Sequence, residues 1–109
     1  MTHSEIAEAV ADAFGRSSRS LYLSDRKSAP ARQVFVYMLV QFMPRVERYP
    51  ARHGRTRAAG ARDGMAKPVA RLLGMHDSSV RYMLERVEDR REDPAFDARL
   101  SAIEERLGV

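Results

Sequence analysis

Residues 76–79 read His-Asp-Ser-Ser, the side-chain types that hydrolases use as base, orienting acid and nucleophile. These groups must lie within hydrogen-bonding reach of one another, whereas four consecutive residues point in different directions. No G-x-S-x-G pattern surrounds Ser78 or Ser79, and no nucleotide-binding G-x-x-x-x-G-K-[ST] pattern occurs. The other histidines, His3 and His53, have no metal-ligand spacing. The sequence therefore predicts a protein that is not an enzyme and uses no cofactor or metal.

The same four residues follow a glycine-led turn between two helical patterns. An apolar helix before Gly74, a turn of about four residues and an amphipathic helix after it form a helix-turn-helix pattern. In that motif the first residues of the second helix face base edges in the major groove, and Met75–Ser79 would occupy this position. The alternative is that Asp77 or Ser78 only caps the helix.

The first part of the chain also predicts helices. Thr2 and Glu5 have capping-box spacing, and Gly15 suits the end of the helix that follows them. Residues 17–23 can form only a turn or a short helix.

The apolar run 34–40 lies between helix-starting residues at 28–30 and Pro44. It is apolar nearly all round, as in a central buried helix. A strand also fits such a run, but no second strand-like segment exists to pair with it. The sequence therefore predicts an all-α fold: one compact multi-helix domain over 1–109, with a basic loop at about 44–64 and a trailing helix at about 94–107.

Positive charge is concentrated in the middle of the chain. The net charge is +4, but residues 16–71 carry +10 while residues 1–15 and 85–109 carry −3 each. A basic region between acidic flanks indicates a surface for a polyanion such as nucleic acid. Arginine outnumbers lysine 17 to 2, so a coding bias with a solvated basic loop is the alternative.

The remaining bulk properties narrow the class of protein. The chain has no cysteine, and its longest apolar run has seven residues, far short of a membrane span. Its first residues carry acids where a signal peptide would carry basic residues. These features predict a cytoplasmic protein with no membrane partner.

Four stretches resemble the C-terminal DNA-binding domain (domain IV, with a TrpR-like helix-turn-helix) of DnaA, the bacterial replication initiator. IAEAVADAFGRSSRSLYLSDRK is similar to its opening helices and basic loop, and ARQVFVYML to its buried central helix. PVARLLGMHDSSVRYMLERVE is similar to its helix-turn-helix, and EDPAFDARLSAIEERL to its trailing helix. The resemblance implies a bacterial, nucleoid-associated protein that binds double-stranded DNA in replication or transcription control.

The resemblance also assigns roles to individual residues. Ser78 and Ser79 match the Ser/Thr pair that approaches thymine and phosphate. Arg26 falls where the family has an arginine that reaches into the adjacent minor groove. Arg32 matches the arginine of the family's Arg-Gln pair, and its alternative role is helix capping or an internal salt bridge.

The chain departs from the family pattern in three respects. Met75-His76-Asp77 replaces the family's Arg-Asp-His, so recognition of the family's usual DNA box is not expected. The loop before the helix-turn-helix is longer than the family's usual one. The ATPase module is absent from this sequence, which implies a stand-alone relative rather than an initiator.

The leading hypothesis is therefore sequence-specific or semi-specific binding of double-stranded DNA. The predicted DNA-binding residues are Arg26, Lys27, Met75, His76, Asp77, Ser78, Ser79 and Arg81. The predicted phosphate contacts are Arg45, Arg48, Arg52, Arg55, Arg57, Arg62 and Lys67. One rival hypothesis is a degenerate helix-turn-helix that binds a protein partner, and another is RNA binding through the arginine-rich loop.

Overall fold

The apolar run 34–40 lies at the centre of the molecule. We describe a computed structural model, which covers residues 2–23, 26–42 and 58–108, with side chains from residue 66 onward in the last range. Every side chain from Val34 to Val40 is buried, and the helix that carries them packs against all the other helices. Full burial of one such apolar side chain contributes about 1.5–3 kcal/mol. The predicted central buried helix is thus confirmed.

The described ranges contain five α-helices and no strand. The helices are α1 (His3–Phe14), α2 (Ala29–Phe42), α3 (Ala58–Leu73), α4 (Asp77–Arg90) and α5 (Pro94–Gly108). Two 3₁₀ helices, Ser18–Tyr22 and Arg26–Ser28, lie between α1 and α2. The Cα radius of gyration is 12.5 Å, close to the value of about 13 Å expected for a compact chain of this length. The predicted all-α class is confirmed.

Both ends of α1 follow from its sequence. Thr2 is the N-cap, and its hydroxyl accepts a hydrogen bond from the Glu5 amide at 3.3 Å. Gly15 has a φ of 64°, and the Arg16 amide donates to the Ala11 carbonyl at 2.9 Å. Glycine adopts this left-handed conformation without the steric cost that a Cβ would add.

The predicted loop at 44–64 is wrong in its last part, because α3 already begins at Ala58. Alanine has the highest helix propensity, and three of the first four residues of α3 are alanines. The sequence suggested a loop up to residue 64 because residues 44–64 hold two prolines, three glycines and six arginines with no sustained apolar face. Pro68 lies inside α3. The trailing helix was predicted at about 94–107, and α5 spans Pro94–Gly108.

A cluster of polar side chains ties α2, α4 and α5 together. The Tyr37 hydroxyl donates to Glu88 Oε1 at 2.8 Å and accepts from Arg91 Nη1 at 3.3 Å. Both terminal nitrogens of Arg91 donate to the Glu104 carboxylate at 3.0 Å. The Arg91 Nε donates to the Asp97 carboxylate. We call these five residues the Arg91 cluster. It sets the position of α5, because such bidentate charge-assisted bonds restrict geometry.

Tyr37 makes the stability of this cluster depend on pH. Its burial, followed by its hydrogen bond to the Glu88 carboxylate, raises the pKa of Tyr37 from 10.0 to about 12. The folded state therefore holds this proton more tightly than the unfolded state does. The resulting stabilisation is complete below pH 10 and is lost as pH rises towards 12. We expect the free energy of unfolding to fall by about 2–3 kcal/mol over that interval.

Urea unfolding at several pH values between 9 and 12 tests this expectation. Tyr37→Phe removes the titrating group and should flatten most of the decline. Tyr82→Phe is the matched control, since Tyr82 is exposed, and it should keep the decline of the parent chain. An equally steep decline in Tyr37→Phe would assign the pH dependence to other groups.

None of the helices in the described ranges is long and apolar enough to cross a bilayer.

Candidate nucleic-acid interface

α3 and α4 are joined by a tight turn of three residues, Gly74 to His76. Gly74 has a φ of 66°, and no heavy atom lies within 4 Å of the position that a Cβ would take. The Met75 amide donates to the Ala70 carbonyl at 2.9 Å and closes the end of α3. The backbone conformation at Gly74, rather than crowding, therefore favours glycine at this turn.

The N-terminus of α4 differs from the predicted cap. Neither Asp77 nor Ser78 is the N-cap: His76 takes this position, without a side-chain capping bond. The Ser79 and Val80 amides instead donate to the His76 carbonyl at 3.1 and 3.3 Å. Because Gly74 ends α3 so abruptly, α4 already begins at Asp77. The first amide groups of α4 therefore have no side-chain capping bond, although the Asp77 carboxylate in the first turn partly offsets the positive end of the helix dipole.

An open groove of about 480 Å³ lies beside this helix end. Its lining residues are Lys67, Ala70, Arg71, Met75, His76 and Asp77. Lys67 and Arg71 are four residues apart on α3, so they lie on one face of it, and both are exposed. The groove therefore combines two cations with a helix N-terminus, a combination that favours an anion such as a backbone phosphate.

Arg71 was missed among the predicted contacts. The signal in the sequence was its spacing of four residues from Lys67, but the importance of this spacing depends on where α4 begins. The structure brings Met75, His76 and Asp77 into the groove with Lys67, and it places Ser78 and Ser79 in the adjoining first turn of α4.

Asp77 introduces a negative charge into this groove, but it has a partner. Its Oδ2 lies 3.3 Å from Nη1 of Arg81, one helical turn further along α4. Exposed pairs of this kind contribute only about 0.3–0.5 kcal/mol, so a phosphate can compete for Arg81. The pair thus reduces the repulsion between Asp77 and an incoming anion while leaving Arg81 half exposed.

The two faces of α4 are strongly different. Val80, Leu84 and Val87 are fully buried and form the inner stripe. Ser78 and Tyr82 are exposed on the opposite side, with Tyr82 one turn after Ser78. α4 as a whole has a net charge of −1, and its acidic residues after Asp77 are Glu85, Glu88 and Asp89. The half of α4 suited to an anionic partner is therefore its N-terminal half.

Arg26 and Lys27 lie in a different part of the fold. They are exposed in the 3₁₀ helix that precedes and packs on α2. They are not among the residues that line the groove. Ser28, the next residue, is buried.

Arg32 is the other position assigned by the family resemblance. Burial lowers the pKa of its guanidinium, and its Nε has no hydrogen-bond partner within the part of the chain that the structure describes. The Nε atom of Arg32 therefore gives no support to the alternative that this side chain forms an internal salt bridge.

Several predicted phosphate contacts are outside the described residues. These are Arg45, Arg48, Arg52, Arg55 and Arg57. Arg62 is a residue of α3, but its side chain is outside the part that the structure describes. Among the described residues, no group of three His, Cys, Asp or Glu side chains is arranged to hold a metal ion.

Comparisons with protein-family models, with curated proteins and with solved structures found no match to this chain. Its functional assignment therefore depends on the groove, the helix end and the charges described above.

Proposed function

We propose that the protein binds double-stranded DNA through a helix-turn-helix formed by α3, the turn at Gly74 and α4. The observation that carries this proposal is the groove in which Lys67 and Arg71 lie beside the uncapped N-terminus of α4. A backbone phosphate held in this groove would direct the first turn of α4 towards the major groove.

The first turn of α4 has side chains suited to reading base edges. Ser78 is exposed and Ser79 is half-buried, and a serine hydroxyl can both donate and accept a hydrogen bond. His76 is exposed and precedes them at the cap position. In this proposal Arg26 contacts the adjacent minor groove and Lys27 a phosphate, as in the resemblance to the DnaA C-terminal domain. DNA binding would associate the protein with the nucleoid.

The predicted phosphate contacts outside the described residues have a separate role in this proposal. They add affinity without sequence preference, because phosphates are the same along any duplex. The cations beside α4 fix the orientation of the helix, and the first turn of α4 then determines which bases are preferred.

A second candidate function is binding of a protein partner. The net charge of −1 on α4 favours it, because DNA phosphates repel a negatively charged helix. The concentration of the acidic residues in the second half of α4 makes DNA the better candidate. The first half can approach phosphates while the second half stays outside the groove.

Selection from a random double-stranded DNA library by the full chain, at near-physiological salt, tests the proposed function. We expect an enriched motif that differs from the usual DnaA box, because Met75-His76-Asp77 replaces the family's Arg-Asp-His. A single-stranded RNA competitor of matched length should displace less of the bound duplex than the same amount of unlabelled DNA.

The outcomes of this selection separate the candidates. Binding without enrichment, with affinity that falls steeply with salt, would retain DNA binding and remove sequence specificity. No binding to duplex at low salt would contradict the proposal and favour the protein-binding alternative. Stronger displacement by RNA would favour the arginine-rich loop as an RNA-binding segment.

A further inference from the structure

Tyr82 is the most exposed large apolar side chain among the described residues. It is 59% exposed, compared with 55% for Leu23 and 39% for Leu72. Single exposed apolar residues are common on protein surfaces, so exposure alone assigns no function to the ring. Its position on α4 provides the argument.

Tyr82 lies on the side of α4 that faces away from the core. Successive residues of an α-helix are about 100° apart, which puts Tyr82 nearly opposite the buried side chains Val80, Leu84 and Val87. It follows Ser78 by four residues and therefore lies one turn beyond it on the same side. A partner that contacts Ser78 and extends towards the C-terminus of α4 would therefore contact the Tyr82 ring as well.

The charges around Tyr82 mark the end of the face that a polyanion can approach. Towards the N-terminus lie the groove with its two cations and Arg81, which pairs with Asp77. Towards the C-terminus, the exposed carboxylates of Glu85 and Asp89 outnumber the one exposed cation between them, Arg86. Repulsion of phosphates by these carboxylates limits the docked part of α4 to its first two turns. Tyr82 is the last exposed side chain within those turns.

The separation of Ser78 and Tyr82 fits the spacing of base pairs. Four residues of α-helix rise about 6 Å, and base pairs are about 3.4 Å apart along the duplex. Tyr82 would consequently reach a base pair about two steps from the one that Ser78 contacts. In the major groove the apolar group that distinguishes a base is the 5-methyl group of thymine.

We propose that Tyr82 is a specificity-determining residue, which packs its ring on a thymine methyl group at the edge of the recognised site. This inference rests on the proposed function, since it requires α4 to dock in the major groove. It adds a base-reading contact that Ser78, Ser79 and His76 do not supply. The ring carries the contact, and the hydroxyl is not needed for it.

The test compares the full chain with Tyr82→Ala and Tyr82→Phe. Each protein is used in selection from the same random duplex library. Its affinity is then measured for the duplex enriched by the parent chain, and for the same duplex with deoxyuridine in place of each thymine in turn. Deoxyuridine removes the methyl group and leaves the pairing unchanged.

We expect one thymine in the site at which deoxyuridine weakens binding by the parent chain about fourfold, the effect of one buried methyl group. Tyr82→Phe keeps the ring and should show the same loss. Tyr82→Ala should bind thymine and deoxyuridine equally at that position, and its selected motif should lose that base. Because the side chain is exposed, all three proteins should have similar thermal stability.

The possible failures are distinguishable. If the parent chain and Tyr82→Ala select the same motif and lose the same affinity with deoxyuridine, this inference is overturned and the proposed DNA binding stands. If the parent chain binds duplex DNA but enriches no motif, the inference about Tyr82 is likewise overturned and the proposed DNA binding stands. If the parent chain does not bind duplex DNA, the proposed function itself fails.

Discussion

Replacing Arg91 with methionine should lower the free energy of unfolding by about 2–3 kcal/mol, an effect large enough to approach half the stability of a small domain. Methionine retains much of the aliphatic volume but removes all the donors. The Arg91 side chain is only 17% exposed, and it bonds the carboxylates of Glu104 and Asp97 as well as the Tyr37 hydroxyl. Without it, the Glu104 carboxylate keeps its partial burial and loses its counter-ion.

The side-chain geometry explains why lysine should not replace this arginine. Bonds to Glu104, with a smaller contribution from Asp97, raise the pKa of Arg91 above its ordinary value, so its guanidinium stays charged. Lysine would also be charged, but it cannot present two parallel donors to one carboxylate. Arg91→Lys should thus recover only part of the stability lost in Arg91→Met.

Denaturant unfolding followed by circular dichroism measures this effect. Arg86→Met is the matched control, because Arg86 lies on α4, the helix that Arg91 follows directly, and is exposed; it should change stability by less than about 0.5 kcal/mol. Equal destabilisation by both substitutions would mean that charge on α4, rather than the Arg91 cluster, sets the stability. The Glu104→Gln variant should be less stable as well, because it removes the charge that faces Arg91.

The double substitution Lys67→Gln and Arg71→Gln should weaken binding to duplex DNA about 100-fold, if each lost phosphate contact contributes about 1.4 kcal/mol. The slope of log affinity against log salt should become shallower by about 2, because two fewer counterions are released. Both side chains are exposed, so the fold should be retained. Fluorescence anisotropy with a labelled duplex at several salt concentrations gives both quantities.

A control with the same change in net charge separates local contact from overall attraction. Arg99 and Arg106 lie on α5, where Arg99 stacks on Phe14 and Arg106 pairs with Asp12. The variant Arg99→Gln with Arg106→Gln should keep most of the affinity and nearly the same salt slope. If both double variants bind equally weakly, the groove is not the phosphate site and only the net charge matters.

The helices and the candidate site differ in how far the sequence alone could predict them. The helices were predictable because their signals are local: the spacing of apolar residues, Thr2 with Glu5, and the glycines at 15 and 74. Each signal operates within one or two turns, so it needs no knowledge of the fold. The start of α3 at Ala58 was not predictable in the same way, because the glycines, prolines and arginines of residues 44–64 are typical of a loop when read locally.

The candidate site was predictable only in part. The sequence indicated residues 75–79 and Lys67, and the structure places Lys67 in one groove with Met75, His76 and Asp77. For Arg71 it offered only the spacing of four residues from Lys67, and it did not single out Tyr82. The roles proposed for them depend on the exact residue at which α4 begins and on which of its sides is buried. A shift of one residue turns a helical side chain by about 100°, which is enough to remove it from a groove.

The sequence by itself determined the all-α class, the central position of α2 and the turn at Gly74, because helix periodicity and backbone preferences act between near neighbours. Only the tertiary structure decided the Arg91 cluster and the groove beside α4. Tyr37 and Arg91 are 54 residues apart, and their hydrogen bond exists only because α2 and α4 pack together. Contacts of this kind depend on the distance between helices, which the spacing of residues along one helix does not encode.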